Sequence, residues 1–127
     1  MSKDKLIIVA IDDEKEMTNM FTDYFGLRGY EIYIANKGVQ GIGLIRDKKP
    51  DIVILDLKMP GISGEEVLSY IKKNLPNTKV IFVTAYDDGG KTKARMLQAG
   101  AYAYLDKPLP SLKILEETIV KAHSESK

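Results

Sequence analysis

Five short apolar runs, each followed by a segment whose apolar residues recur at helical spacing, are the feature that most restricts the fold of this chain. The runs at 5–11, 51–55 and 80–84 are almost continuously hydrophobic, which is typical of parallel strands covered by helices on both faces. Weaker runs at Glu31–Ala35 and 102–105 predict strands toward the edges of the sheet. The alternation therefore predicts a parallel sheet built from strand–helix units.

Start and stop signals predict five helices. Asp13 and Glu16 match a capping box, so we expect the first helix to open there and to end at Gly29. Its predicted core residues are Met17, Met20 and Phe21. The other helices are predicted at 38–47, 64–74, 91–99 and 110–122.

With right-handed crossovers, this order winds into a doubly wound α/β domain, in which ligands bind beyond the carboxyl ends of the strands. The chain is predicted to be one domain over 1–127, because 127 residues with 44% hydrophobic content suffice for one core. We expect the core to extend over about 5–122 and residues 123–127 to form a polar tail.

Composition excludes several classes of function. Nineteen basic residues nearly balance eighteen acidic ones, so no overall field favours nucleic acid or an anionic membrane. The absence of cysteine excludes disulfides, thiolate catalysis and cysteine-bound metal centres, and it agrees with a reducing compartment. The first apolar run is too short for a membrane span or a signal-peptide core. We therefore expect a cytoplasmic protein with no membrane contact.

Polar residues stand at the carboxyl ends of four predicted strands: Asp12, Asp13, Asp56, Thr84 and Lys107. Each alone has an ordinary structural explanation, since an Asp often caps a helix or occupies a turn and a Lys is usually solvated. Parallel strands, however, bring their carboxyl ends to one rim of the sheet. We therefore expect these five side chains to converge.

Three convergent carboxylates favour a bound cation, because like charges 4 Å apart repel by up to about 4 kcal/mol near a protein surface. Mg2+ takes hard oxygen ligands and is commonly held by one or two carboxylates together with phosphate oxygens. An Asp carboxylate can also act as a nucleophile that forms an aspartyl phosphate. The set is therefore suited to phosphoryl transfer, with Thr84 and Lys107 available to bind the transferred oxygens.

Together these motifs resemble the receiver (phosphoacceptor) domain of two-component response regulators, in particular the chemotaxis-type single receiver. The resemblance covers nearly the whole chain and rests on Asp12-Asp13, Asp56-Leu57-Lys58-Met59-Pro60-Gly61, Thr84-Ala85 and Lys107-Pro108. It implies a flavodoxin-like sheet in the order 2-1-3-4-5 with five helices.

The resemblance also implies a role for each site residue, with Asp56 as the phosphoacceptor. The implied Mg2+ ligands are Asp13, Asp56, the Lys58 carbonyl and, through a water molecule, Asp12, with Mn2+ as a substitute ion. The implied phosphoryl-binding groups are Thr84, Lys107 and the backbone of Ala85 and Lys58. The peptide bond between Lys107 and Pro108 is expected to be cis.

By the same resemblance, phosphorylation draws Thr84 toward the phosphoryl group while Tyr104 turns inward. This switch is expected to remodel the face formed by the fourth helix, the fifth strand and the fifth helix, which is the predicted output face. Lys58 and Tyr86 flank the path of the attacking water in the family. They are therefore predicted to modulate the lifetime of the aspartyl phosphate.

The implied function is that of a signalling phosphoacceptor and not of an enzyme, limited to self-catalysed phosphotransfer and slow autodephosphorylation. His123 is the only histidine and is predicted to be solvent-exposed, so the donor is expected to be a separate histidine kinase or phosphotransfer protein. The other expected partners are a downstream output domain or protein and a second copy on phosphorylation, without direct nucleic acid contact by this domain. Both a stand-alone receiver and a part of a larger, for example DNA-binding, regulator fit the sequence.

Other classes fit less well. A phosphatase of the haloacid dehalogenase type expects a second Asp two residues after the first, where Glu14 stands. A flavodoxin-type carrier would need a hydroxyl- or glycine-rich phosphate loop after Ile11. The main alternative is a degenerate receiver that binds proteins without being phosphorylated, although every expected site residue is present.

Overall fold

The computed structural model describes residues 6–125 as a parallel sheet with helices on both faces. The elements are β1 (Ile7–Ile11), α1 (Lys15–Leu27), β2 (Glu31–Ala35), α2 (Gly38–Lys48), β3 (Ile52–Leu55), α3 (Gly64–Asn74), β4 (Lys79–Thr84), α4 (Lys91–Gln98), β5 (Ala103–Asp106) and α5 (Leu112–Ser124). The strands lie in the order β2-β1-β3-β4-β5, and all neighbouring pairs are parallel. The predicted fold class and strand order are confirmed, and the two weak apolar runs form the edge strands.

Alternation along the strands produces two apolar layers, because successive side chains of a strand point to opposite faces of the sheet. Helices α1 and α5 cover one face, to which they contribute Phe21 and Leu115. Helices α2, α3 and α4 cover the other face, to which they contribute Ile45, Val67 and Met96. Each fully buried side chain of this size stabilises the fold by about 1.5–3 kcal/mol. With both faces covered, the carboxyl ends of the strands form the open rim on which a site can be built.

The start of α1 differs from the prediction. The N-cap is Glu14, and its side chain makes no hydrogen bond to the helix N-terminus, so the capping box predicted at Asp13 and Glu16 is wrong. The backbone N–H of Glu14 instead donates to Oδ1 of Asp12 over 2.9 Å, which closes the turn from the preceding residue. The carboxylate of Asp13 is thereby left at the strand end, where it belongs to an acidic cluster.

A capping box does form at the start of α3. The hydroxyl of Ser63 accepts a hydrogen bond from the backbone N–H of Glu66, and the Glu66 carboxylate accepts one from the backbone N–H of Ser63. This arrangement satisfies two of the donors that a helix N-terminus leaves unpaired. It fixes the direction in which α3 leaves the loop after β3.

Three further expectations are corrected. Helix α5 begins at Leu112 after the N-cap Ser111 and extends to Ser124, so His123 belongs to a helix and not to a polar tail. His123 is half-buried, which contradicts its predicted exposure. Met20 is 47% exposed and therefore lies outside the core. Residue 5, the predicted start of the first strand, and residues 126 and 127 of the predicted tail lie outside the described residues.

Across residues 6–125, no helix combines the length and the apolar character that a membrane crossing requires.

Candidate functional site

The carboxyl ends of β1, β3, β4 and β5 bring the predicted site residues to one cleft. Asp12 follows β1, Asp56 follows β3, Thr84 ends β4 and Lys107 follows β5. The cleft has a volume of about 430 Å³ and is lined by Asp13, Glu14, Asp56, Lys58, Thr84, Ala85, Tyr86 and Lys107. The predicted convergence of these side chains is therefore present in the structure.

Three carboxylates form an acidic cluster in this cleft. Asp12, Asp13 and Asp56 each offer an oxygen, and these oxygens lie within 4.8 Å of one another. Asp12 and Asp56 are only 2% and 7% exposed, whereas Asp13 is exposed. Buried carboxylates this close repel one another strongly unless a cation lies near them.

Lys107 supplies one positive charge to the cluster. Its Nζ lies 2.8 Å from Oδ2 of Asp12 and 3.3 Å from Oδ2 of Asp56. A third partner is Glu14, whose Oε1 is 2.7 Å from the same nitrogen. Three carboxylates thus share one ammonium group, Asp13 adds a fourth acidic side chain nearby, and the cleft keeps an excess of negative charge.

Burial and pairing act on the two best-buried charges in different ways. Burial raises the pKa of the Asp12 carboxyl, and the hydrogen bond from Lys107 opposes that rise. Burial would lower the pKa of Lys107, but its hydrogen bonds to Asp12 and Glu14 outweigh burial and raise it above its usual range. Lys107 is therefore positively charged at neutral pH.

The loop that carries Asp12 is held from behind by Asn36. The Asn36 side-chain amide donates to the carbonyl of Asp12 over 2.8 Å and to the hydroxyl of Thr18 over 3.0 Å. Thr18 is fully buried, and its hydroxyl donates to the carbonyl of Lys15 in the first turn of α1. These bonds tie the end of β1 to the start of α1 and orient the acidic residues between them.

Gly64 allows α3 to approach the loop that carries Asp56. A Cβ atom at this position would lie 2.3 Å from the carbonyl oxygen of Asp56 and 2.8 Å from Cα of Leu57. The backbone N–H of Gly64 donates to the carbonyl of Leu57 over 2.8 Å. The absence of a side chain at Gly64 is therefore a condition for the position of the Asp56 loop.

A chain of contacts connects Thr84 with Tyr104 through Tyr86. The backbone N–H of Tyr86 donates to the hydroxyl of Thr84 over 3.2 Å, and the hydroxyl of Tyr104 donates to the carbonyl of Tyr86 over 2.9 Å. Tyr104 is 5% exposed and packs against the ring of Phe82. Tyr104 thus already lies inward in this structure, whereas the resemblance implies that it turns inward on phosphorylation, and the site is linked to β5 by two hydrogen bonds.

Lys58 and Tyr86 form a cation–π pair at the mouth of the cleft. Nζ of Lys58 lies 4.4 Å from the centroid of the Tyr86 ring. Such a pair at a partly exposed position stabilises by about 0.5–1 kcal/mol. The two residues that were singled out as modulators therefore contact each other.

The peptide bond between Lys107 and Pro108 is cis, as expected. The backbone N–H of Lys107 donates to the carbonyl of Thr84 over 2.9 Å, which joins the ends of β4 and β5 beside the cleft.

The residue that sequence reasoning missed is Glu14. Its carboxylate lies in the cleft, whereas in the sequence the position stands out only as a departure from the phosphatase pattern. The available signal was the acidic run Asp12-Asp13-Glu14, but the partner of Glu14 lies 93 residues away in the chain. Local sequence could not identify that contact.

The donor set of the cleft fits a hard divalent cation. Asp12, Asp13 and Asp56 provide carboxylate oxygens alone, without the sulfur or imidazole donors that select softer metals. The single ammonium group of Lys107 leaves their charge only partly balanced. The residues present therefore fit a Mg2+ ion.

Comparison with known proteins shows the family to which the chain belongs. The family model described as response regulator receiver domain matches residues 8–119. The regulatory protein AtoC of Escherichia coli is 32% identical over 122 residues, which are 94% of this chain and 26% of AtoC. The polar-differentiation response regulator DivK of Brucella anthropi is 32% identical over 114 residues, which are 88% of this chain and 91% of DivK. The chain thus spans about a quarter of one relative and most of the other.

Solved structures give the same result. A CheY-like response regulator receiver domain protein from Methanospirillum hungatei has a TM-score of 0.90 and 28% identity, and the match covers 97% of each chain. A receiver domain protein from Clostridium thermocellum has a TM-score of 0.85 and 30% identity, and the match covers 94% of this chain and 95% of that one. The phosphatase and flavodoxin-type alternatives are set aside by these matches. From its fold, its strand-end residues and these relatives together, the chain belongs to the family of response regulator receiver domains.

Proposed function

We propose that this receiver domain accepts a phosphoryl group on Asp56. The observation that carries the proposal is the cluster of Asp12, Asp13 and Asp56 at the carboxyl ends of β1 and β3, in which Asp12 and Asp56 contact Lys107. Asp56 is only 7% exposed but lines the cleft, so one carboxylate face is open to a donor. Lys107, together with a cation held by the three carboxylates, would neutralise the charge of the incoming phosphoryl group, which is a main requirement of phosphoryl transfer.

In the proposed step, a carboxylate oxygen of Asp56 attacks the phosphorus of a phosphorylated histidine. A new O–P bond forms while the P–N bond breaks, and the electron pair of that bond stays with the histidine nitrogen. Because the described chain has its only histidine on α5, at the far end of the sequence from the site residues, the donor is a separate histidine kinase or phosphotransfer protein. The domain itself is a phosphoacceptor and not an enzyme with an external substrate.

Asp13, Asp56 and the carbonyl of Lys58 are the proposed protein ligands of Mg2+, with Asp12 contributing through a water molecule. When bound, the ion supplies positive charge that lowers the repulsion between the carboxylates and the incoming phosphoryl oxygens. Mn2+ is the expected substitute, because it also prefers oxygen ligands. The fit rests on the oxygen-only donor set of the cleft.

Thr84, Lys107 and the backbone of Ala85 and Lys58 are the proposed partners of the phosphoryl oxygens. Movement of the Thr84 hydroxyl toward those oxygens would break its hydrogen bond with the backbone of Tyr86, to which Tyr104 is also attached. That connection supports a switch that reaches Tyr104 and the output face formed by α4, β5 and α5. The proposed binding partners of this output face are an output domain, a partner protein or a second copy of the domain. We expect these interactions to take place in the cytoplasm.

Intact mass spectrometry after incubation with phosphoramidate tests the proposal. The wild type is expected to gain one phosphoryl group in the presence of Mg2+ and none after chelation. Asp56→Asn removes the nucleophile and is expected to stay unmodified, whereas Asp23→Asn, an exposed Asp on α1, is the matched control and should behave as the wild type. If the wild type gained no phosphoryl group under any condition, the proposal would fail and phosphorylation-independent protein binding would take its place.

A further inference from the structure

Lys107 has more partners than a phosphoryl-binding lysine needs. Its Nζ contacts Glu14 at 2.7 Å, Asp12 at 2.8 Å and Asp56 at 3.3 Å. An ammonium group has three N–H donors, and three carboxylates can use all of them. The donor now directed at Asp56, the longest of the three contacts, can pass to a phosphoryl oxygen, but a second donor is available only if the contact with Asp12 or Glu14 is released.

Exposure decides which of the contacts with Asp12 and Glu14 is released to supply that second donor. The side chains of Asp12 and Lys107 are 3% and 11% exposed, whereas that of Glu14 is 62% exposed. Separating Lys107 from Asp12 would leave a buried charge without a partner, which is strongly destabilising. Releasing Glu14 returns an exposed carboxylate to water, and exposed ion pairs contribute little. The contact with Glu14 is the one that gives way.

The orientation of Glu14 is not explained by its own helix. Glu14 is the N-cap of α1, where a negative charge is favourable near the free N–H groups. Its carboxylate nevertheless makes no capping hydrogen bond and contacts Lys107, 93 residues away in the sequence. The ion pair with Lys107 is therefore a contact between two elements and not a by-product of helix capping.

We propose that Glu14 competes with the phosphoryl group for Lys107 and thereby slows phosphoryl uptake on Asp56. The inference rests on the proposed function, because it concerns the same site. Glu14 acts through Lys107 and touches no reacting atom, so it is a positioning residue. Its contact stabilises the unmodified state and is already broken in the phosphorylated state, so uptake is slowed while loss of the phosphoryl group is not.

Phosphorylation kinetics with phosphoramidate and Mg2+ test this inference, with Glu14→Gln as the main variant. Glu16→Gln is the matched control, because Glu16 is also exposed and lies in the first turn of α1. Glu14→Gln is expected to accelerate uptake by about two- to fivefold, the range that an exposed ion pair provides, and to leave the dephosphorylation rate unchanged. The acceleration should shrink as salt is added, because salt screens exposed pairs. Equal uptake rates for wild type, Glu14→Gln and Glu16→Gln would overturn the inference.

Glu14→Asp distinguishes loss of the contact with Lys107 from loss of the negative charge. The shorter side chain keeps the negative charge but withdraws it from Lys107, so it is expected to accelerate uptake as Glu14→Gln does. If Glu14→Asp matched the wild type while Glu14→Gln was faster, repulsion of the anionic donor would be the cause and the inference would be wrong.

A second readout does not depend on phosphorylation. In the metal-free protein, the NMR signal of the Lys107 side-chain ε carbon is expected to shift in both Glu14 variants but not in Glu16→Gln. An unchanged signal would show that the contact is absent in solution. If no protein in the series, wild type included, gained a phosphoryl group, the proposed function would fail while this signal still reported on the contact.

Discussion

The close approach of α3 to the Asp56 loop makes a quantitative prediction about Gly64. A Cβ added by Gly64→Ala would lie 2.3 Å from the carbonyl oxygen of Asp56, 2.8 Å from Cα of Leu57 and 3.0 Å from the ring of Phe82. Two of these neighbours are backbone atoms at the end of a central strand, so they cannot turn away. Relief requires α3 to move away from the site.

Overpacking of this kind destabilises by about 1–3 kcal/mol. The helix propensity of alanine offsets at most about 1 kcal/mol of that loss. We therefore expect Gly64→Ala to lower the free energy of unfolding by roughly 2 kcal/mol, which for a domain of this size lowers the melting temperature by about 8 °C. Because the displaced loop carries Asp56, the affinity for Mg2+ should fall as well.

Thermal unfolding followed by circular dichroism, with and without Mg2+, measures both effects. Gly43→Ala is the matched control, because Gly43 is also helical and its added Cβ would meet only the end of the Arg46 side chain at 3.9 Å. This control should gain about 0.5–1 kcal/mol from helix propensity. A melting temperature of Gly64→Ala at or above that of the wild type would refute the packing argument.

Three further predictions concern the site and its surroundings. Replacing Tyr86 by Ala should accelerate dephosphorylation severalfold, because the ring that shields the cleft together with Lys58 is lost. Tyr86→Phe keeps the ring and should match the wild type. Equal dephosphorylation rates for all three proteins would contradict shielding. Asp56→Asn relieves repulsion between carboxylates and should raise the melting temperature measured in chelator. The rise should be larger in a Lys107→Met background, because in the wild-type background the substitution also removes the 3.3 Å ion pair between Asp56 and Lys107. If the effects of the two substitutions on the melting temperature were additive, the ion pair would not be formed. In a titration of ultraviolet absorbance, Tyr30 should ionise with a pKa of about 12, since burial and a hydrogen bond to a carboxylate both raise it. Because the folded state favours the protonated phenol, Tyr30 contributes to the free energy of unfolding below pH 10, and this contribution is lost as the pH rises through 12. The loss should be absent in Tyr30→Phe.

Much of the architecture follows from short-range patterns. The continuous apolar runs at Ile7–Ile11 and Ile52–Leu55 identify buried parallel strands, and their ends locate Asp12 and Asp56. Helix boundaries follow less directly from sequence patterns, because competing side chains can cap the same turn. The Asp13 pattern failed because the helix begins one residue later, with Glu14 as the N-cap, after a turn that the hydrogen bond from the Glu14 N–H to the Asp12 carboxylate closes.

The order of the elements, the sheet class and the acidic residues at the strand ends can be predicted from the amino-acid sequence, because they depend on periodicity and on residues close together in the chain. The charges that contact Lys107, and the hydrogen bonds that join Thr84, Tyr86 and Tyr104, are visible only in the folded structure. Those contacts depend on how the loops after β1, β3 and β5 are placed relative to one another, to within about an ångström. Periodicity carries no such information, since the packing of the two apolar layers on the sheet sets those distances.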